Sequence, residues 1–348
     1  MTDTAPPLLL DNLTPAFRHF WHPVLLADEL GRSPITVTVA GVGWVLWRTA
    51  DGAVGAVRDE CPHRGASLGV GRCVGDTIRC AYHGWRFGPD GTCEEVPSMT
   101  GPVPAGFAAV APYAVAERYG LVWLAEHEPR APIPAFDDWG ADGFASVHVP
   151  TQCWRTSAAQ MTDNFLDLTH FPFLHAGSFA EERPVPMPAH RCEPAGHGFT
   201  FSFRGDVGER RTTGGFEPVR YDYELALPYW VRSTIHYEHS GVRQAIVTVM
   251  TPQTADTTLL FTLLARNDVA PDDEVAVAEA VTWQERVADE DRAILDATPM
   301  RALDLDLRSK RNCPADRPSV AMHRAYAEVL RAAPENEKGV RHPLAPIR

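Results

Sequence analysis

Basic charge is in short supply in this 348-residue chain: 32 lysines and arginines face 45 aspartates and glutamates, a formal net charge of −13. A surface that acidic repels phosphate backbones and anionic lipid, which argues against nucleic acid or a membrane as partner. A protein with a basic docking face remains compatible with it. Long apolar runs are also missing. The opening MTDTAPPLLLDNLTP has no basic stretch, and its apolar run extends only from Leu8 to Leu10. Neither a secretory signal nor a membrane span is expected, and the cytoplasm is the expected compartment. Cysteine is sparse: seven, an odd number, do not suggest a disulfide framework in a chain of this size. In a reducing compartment clustered cysteines are metal ligands or plain core residues, and spacing has to decide which. Internal repeats and low-complexity tracts are lacking as well.

What is present is ordinary globular composition, 45% hydrophobic and 22% charged, with length enough for two domains. From Ile35 to Leu124 the chain reads as short strands and turns. Ile35-Thr-Val-Thr-Val39 alternates, Trp44-Val-Leu-Trp47 is apolar, and Asp51-Gly52 and Gly88-Pro-Asp-Gly91 are turn signals. Leu121-Val-Trp-Leu124 suits a last buried strand, and the proline-rich His127–Pro134 suits a linker. An all-β domain is therefore expected at residues 15–130 and a second domain at 131–348. In the latter, residues 156–171 read as helix and 198–265 as four or five strands. Pro271 opens a long helical pattern reaching Thr298. Strands bracketed by helices make this half α+β.

Cys61-Pro-His63 is followed by Cys80-Ala-Tyr-His83, two pairs that each mix sulfur with imidazole. Two thiolates and two imidazoles can hold a [2Fe–2S] cluster asymmetrically, Cys₂ on one iron and His₂ on the other. The competing reading is a structural Cys₂His₂ zinc site, for which C-x-H is an awkward spacing. Cys73 and Cys93 flank these pairs without matching their spacing and read as ordinary buried residues.

Asp163-Asn-Phe-Leu-Asp167-Leu-Thr-His170-Phe-Pro-Phe-Leu-His175 forms the second constellation. The spacing predicts a helix with Asp163, Asp167 and His170 on one face, and a turn at Phe171-Pro172 that brings His175 back towards His170. Two imidazoles and one carboxylate with open positions are the donor set of a non-haem Fe(II) centre. An exposed polar helix face or a zinc site are the alternatives. A further carboxylate is available on the long helix. Its apolar line Val277, Val281, Ala288, Leu295 includes Asp291, whereas Asp289 points about 200° away, towards solvent. A carboxylate on a buried helix face needs a partner, and a metal is a good one. Among the aromatics, Tyr229, Trp230 and Tyr237 could line a cavity or simply fill a core.

Cys61-Pro-His-Arg-Gly65 with Cys80-Ala-Tyr-His-Gly-Trp85 resembles the signature of the Rieske-type non-haem iron oxygenases. The D-x-x-H-x4-H segment at Asp167, His170 and His175, and Asp289-Glu-Asp291-Arg-Ala-Ile-Leu295, are similar to that family's iron-ligand segments. The resemblance runs from Trp21-His-Pro-Val to Asp316-Arg-Pro-Ser-Val-Ala. It is greatest towards the group that includes vanillate O-demethylase, dicamba monooxygenase and the saxitoxin-pathway hydroxylases. It implies an α+β protein: an N-terminal all-β Rieske domain and a C-terminal helix-grip catalytic domain, an antiparallel sheet with helices. It implies a cluster held by Cys61, His63, Cys80 and His83, mononuclear Fe(II) held by His170, His175 and Asp291, and Asp167 as the acid bridging the two centres. Many relatives have Asn where this chain has Asp163, which leaves that residue without an assigned role. The resemblance further implies a head-to-tail homotrimer fed from NAD(P)H by a separate reductase, directly or through a ferredoxin. Such an enzyme uses O₂ to hydroxylate or demethylate a small aromatic, alicyclic or natural-product substrate. A Rieske electron carrier without oxygenase activity and a zinc-stabilised binding module are the other classes.

Overall fold

Short antiparallel strands dominate the computed structural model, which describes residues 8–205 and 218–338. The chain divides into two units, one formed by residues 18–132 with 251–254, the other by the remaining described residues.

In the first unit Ile35–Val39, Val42–Arg48 and Val54–Arg58 make a three-stranded antiparallel sheet. Alternation along its central strand sends side chains to two sides. Trp44 and Leu46 join Val24, Leu25, Val122 and Leu124 in one core, while Val45 and Trp47 join Leu68, Ile78 and Phe87 in another. Burial on both faces is why Trp44-Val-Leu-Trp47 is apolar throughout instead of alternating. Each such side chain contributes about 1.5–3 kcal/mol by leaving water. Leu121–Ala125, the expected last buried strand, sits between Ala114–Arg118 and His22–Leu26. Arg72–Val74, Thr77–Arg79, Arg86–Phe87 and Cys93–Glu95 form a four-stranded sheet. Cys61, Cys80, Trp85 and Cys93 lie in the same core as Trp47 and Phe87, with Cys73 packed against it.

The second unit is built on a seven-stranded sheet of β1 (Ala145–Trp154), β2 (Glu193–Ala195), β3 (Gly198–Arg204), β4 (Val219–Ala226), β5 (Trp230–Tyr237), β6 (Arg243–Pro252) and β7 (Thr258–Arg266), in the order β1-β7-β6-β5-β4-β3-β2. In β4 burial alternates strictly: Val219, Tyr221, Tyr223 and Leu225 are buried, and Arg220, Asp222 and Glu224 take the opposite face. Glu224 stands directly across from Arg232 of β5, and their side chains pair at 2.9 Å. Among the described residues four α-helices accompany the sheet: α1 (Ala158–Leu166), α2 (Phe171–Leu174), α3 (Glu274–Ala297) and α4 (Arg317–Ala332).

Helix α3 packs on β1. It begins three residues after Pro271, where the Asp273 carboxylate accepts a hydrogen bond from the Ala276 N–H at 3.0 Å and caps the first turn. Its buried residues are Ala280, Ala288, Asp291 and Leu295; of the apolar line drawn through Asp291 from sequence, Ala288 and Leu295 are buried while Val277 and Val281 are only half-buried. Asp289 points outward, its side chain 61% exposed. Among the described residues no helix is long and apolar enough to cross a membrane.

Candidate functional sites

Helix α1 starts where the Ser157 hydroxyl accepts from the Gln160 N–H, and it stops at Leu166, short of the expected residue 171. Asp167 takes extended geometry (φ −86°, ψ 135°), and its Oδ1 accepts from both the N–H (2.8 Å) and the hydroxyl (2.7 Å) of Thr169. An aspartate that captures the backbone two residues ahead offers the chain an alternative to helix, and here that alternative prevails. A second helix, α2, then begins at Phe171. Pro172 sits in its first turn, where a missing N–H costs nothing, so this proline opens a helix instead of preventing one.

The consequence for the site is a correction. Asp163, Asp167 and His170 do not share a helix face. Asp163 approaches His323 of α4, 3.8 Å away. Asp167 and His170 meet instead across the turn, Oδ2 to Nδ1, at 3.2 Å.

That contact leaves the Nε2 of His170 free to face inward. His175, 1% exposed, is oriented in the same sense: its Nδ1 lies 2.8 Å from Glu290 Oε2, an oxygen that also accepts from the Ser178 hydroxyl at 2.7 Å. A carboxylate on Nδ1 fixes the tautomer that presents a lone pair at Nε2. The two Nε2 atoms are 3.2 Å apart, and Asp291 Oδ1 lies 3.3 Å from the first and 3.5 Å from the second. Three ligands holding one ion at roughly 2.1 Å at near-right angles stand about 3 Å apart, so this triangle has the size of a metal's face. Among the described residues it is the one group of three or more such side chains whose ligand atoms all lie within 4.8 Å of one another. The Asn164 amide steadies it by donating to Asp291 Oδ1 at 2.9 Å.

Without a metal the three groups hold one another's charge. Burial works against ionisation of Asp291, but hydrogen bonds with His170 and His175, and their charge, outweigh it and pull the carboxyl down to about 2. Burial likewise works against a proton on His170, and Asp167 and Asp291 overcome it, raising the imidazole to about 9.

Asn164, Ser178 and Glu290 escaped the sequence reading. For Glu290 a signal existed, its position beside Asp291 in an acidic run; for Ser178 none did, because its placement depends on how the chain turns after α2.

The triangle borders a cavity of about 520 Å³ lined by Phe165, Phe179, Tyr221, Tyr237, Ile246 and Leu260 among others. Of the three aromatics singled out earlier, Tyr237 lines it, whereas Tyr229 and Trp230 are fully buried elsewhere in the core. A larger polar cleft, about 860 Å³, is lined by Asp222, Glu224, Arg232 and Thr234 and touches none of the triangle.

In the first unit the two Cys–His segments are built alike. The Cys61 N–H donates to Ala66 O at 2.8 Å and the Gly65 N–H to Cys61 O at 2.9 Å; in the other loop Cys80 N–H donates to Trp85 O at 2.8 Å and Gly84 N–H to Cys80 O at 3.1 Å. Both turns need positive φ at the glycine, +67° at Gly65 and +76° at Gly84. Cys61 and Cys80 are each 2% exposed, while His83 faces out and His63 stacks on Trp85 with ring centroids 4.6 Å apart. The two imidazoles are neighbours, centroids 4.4 Å apart. Burial, with Cys80 alongside, pushes the Cys61 thiol up to about 11, a cost that a bound metal removes by holding the thiolate. A single zinc would need all four donor atoms within about 4 Å of one another, yet no three of them lie within 4.8 Å. Paired sulfurs inside and paired imidazoles outside fit a two-iron cluster instead.

Comparison with known proteins finds a family for each half of the chain. Residues 20–114 match the Rieske [2Fe-2S] domain family and residues 154–332 the vanillate O-demethylase oxygenase C-terminal domain family. Methylxanthine N1-demethylase NdmA of Pseudomonas putida is 27% identical over 339 residues, 92% of this chain and 90% of that protein. The vanillate O-demethylase oxygenase subunit of Pseudomonas sp. strain HR199 is 31% identical over 180 residues, 49% of this chain and 48% of that one. Among solved structures, NdmA with caffeine from P. putida CBB5 superposes with a TM-score of 0.80 at 24% identity, covering 92% of each chain. Dicamba monooxygenase bound to dicamba superposes with 0.72 at 22%, covering 92% of this chain and 97% of that one. At these identities the superpositions speak for the fold.

Proposed function

Since this chain belongs to the Rieske oxygenases whose catalytic domain is of the vanillate O-demethylase type, we propose that it removes an O- or N-methyl group from a small aromatic or heteroaromatic substrate, with His170, His175 and Asp291 holding the mononuclear iron. It is the terminal oxygenase of a multicomponent system, needing O₂ and a separate reductase. The observation that carries the assignment is the 3.2–3.5 Å triangle of two Nε2 atoms and Asp291 Oδ1 on the wall of a largely apolar cavity. Bound there, Fe(II) supplies O₂ activation and insertion of one oxygen atom into a C–H bond, fed with electrons from the Rieske cluster. A hydroxylated methyl group on oxygen or nitrogen then collapses to formaldehyde and the demethylated product.

The chain's own residues prepare this chemistry. Asp167 and Glu290 set the tautomers of His170 and His175, Asn164 holds the Asp291 carboxylate, and the aromatic walls orient a flat ring and exclude water. Cys61, His63, Cys80 and His83 are the residues we assign to the cluster. A head-to-tail homotrimer, in which one subunit's cluster serves its neighbour's iron, is supported by two exposures. His83 faces out, and the Asp167 side chain, bonded to His170, is 34% exposed. The electron donor is an NAD(P)H-dependent reductase, working directly or through a ferredoxin.

Anaerobically purified protein is expected to carry three irons and two acid-labile sulfides per subunit, with a Rieske spectrum. With a surrogate reductase it should release formaldehyde in step with O₂ uptake on methylated aromatics. Zinc without sulfide would sink the reading. Two irons that stay at two after Fe(II) is added back would leave an electron carrier.

A further inference from the structure

Among the described residues lining the cavity, Arg266 at the end of β7 is the one lysine or arginine. Its guanidinium is already engaged: Nε donates to Asp268 Oδ1 at 2.7 Å and Nη2 to Asp268 Oδ2 at 2.6 Å, a fork-on-fork pair about three-quarters buried on both sides. Gln244, another cavity residue, donates from Nε2 to the same Asp268 Oδ2 at 3.0 Å and ties the pair down. Apart from the imidazoles of the triangle and the iron they would hold, the remaining charge on the lining is negative. Glu279 on α3 is exposed, and Asp291 belongs to the triangle. The other walls are apolar, aromatic, or neutral hydroxyl and amide groups.

With its methyl group at the triangle, a substrate carrying a carboxylate at the far end of its ring would lose that group's water without gaining a free cation there, and would pass Glu279 on a protein of net charge −13. Rejection of a ligand by leaving its charge unpaired is as effective a source of specificity as an added contact. We infer that the cavity selects uncharged substrates over aromatic carboxylates, and that Asp268 sets this selectivity by sequestering Arg266. The inference rests on the oxygenase reading for the identity of the site, and it adds the substrate's charge class. It also makes Asp268 a specificity residue that acts through Arg266, not one that touches the reacting atoms.

The test uses a matched pair of methyl ethers, 4-methoxybenzyl alcohol and 4-methoxybenzoate, with dissociation constants measured calorimetrically on the iron-loaded full-length protein at low and high salt. The native protein is expected to bind the alcohol at least about tenfold more tightly. Asp268→Asn keeps the shape and frees Arg266. It should improve benzoate binding by about tenfold at low salt, with the gain shrinking as salt is added. Adding Arg266→Gln to that variant should abolish the gain. Benzoate bound by the native protein as tightly as the alcohol would overturn the inference, as would failure of the alcohol to bind or an unchanged ratio in Asp268→Asn. Formaldehyde release is read separately. Selective binding of the alcohol without its demethylation refutes the oxygenase reading and leaves the charge selection standing; equal demethylation of both ethers does the reverse.

Discussion

Glu290 offers the sharpest test of how the catalytic site is assembled. Its Oε2 takes two hydrogen bonds, from His175 Nδ1 and from the Ser178 hydroxyl, and Oε1 lies 3.8 Å from Arg286 Nε. Glu290→Ala removes all three contacts at once. His175 is 1% exposed, so its Nδ1–H cannot turn to water, and a buried donor left without a partner costs about 1–3 kcal/mol. The ring also loses what fixes its tautomer, and loss of such a support weakens metal binding by roughly 10–100-fold. Glu290→Gln keeps an acceptor oxygen that both donors can reach but removes the charge, so its loss should fall at or below the lower end of that range. Iron affinity can be measured by chelator competition, with the visible spectrum of the cluster as an internal control in the same sample. The order expected is native, then Gln, then Ala, with an unchanged cluster spectrum throughout. Native iron affinity in Glu290→Ala would refute the reasoning, and with it the assignment of His175 as a ligand oriented by Glu290.

Asp291→Ala should lose mononuclear iron and keep the cluster, whereas Asp289→Ala should change little, since it loses only a 3.3 Å contact from Gln152 and a surface pairing with Arg292. Metal analysis decides, and the reverse pattern would reassign the carboxylate. With the iron removed, His170 titrates at about 9, above the ordinary 6.5, so its proton is held through pH 7–8. Fe(II) must displace it: binding at pH 7 should release close to one proton, and apparent affinity should rise with pH until about 9, followed with an indicator dye in weak buffer. By the same shift, the stability this proton lends the metal-free fold is complete below 6.5 and lost as pH climbs through 9. Gly84→Ala should damage the cluster loop more than Gly65→Ala. Both glycines have positive φ, but a Cβ at Gly84 would also meet Pro97 and Arg79 at 3.1–3.2 Å, while at Gly65 the nearest atom is 3.7 Å away. Sulfide per subunit after expression measures the difference.

The sequence was most legible where chemistry and periodicity coincide. Asp291 could be told from Asp289 because a helix turns by a fixed angle per residue, and the apolar partners on its line fix which side is buried. The strand Trp44–Trp47 was recognisable from composition alone, since both its faces are covered. Periodicity misled at Asp167. The run from Asp163 to His170 carries a helical spacing, yet a local bond from the Asp167 side chain to Thr169 ended the helix, and such contests are settled by single hydrogen bonds that no pattern records. Pro172 misled in the same way, because whether a proline breaks a helix or begins one depends on where the previous helix stopped. Glu290 and Asn164 were hidden for another reason: each acts on a partner more than a hundred residues distant in sequence.

The early end of α1 has one more effect. His170 is a flat ring with a nitrogen at either end of its span; one end meets the triangle inside the protein, the other meets a carboxylate that is one-third open to the outside. An engineer would recognise an insulated feedthrough, a rigid conductor set in a sealed wall. Under the proposed head-to-tail arrangement, charge arriving at Asp167 would stand one ring away from the metal triangle.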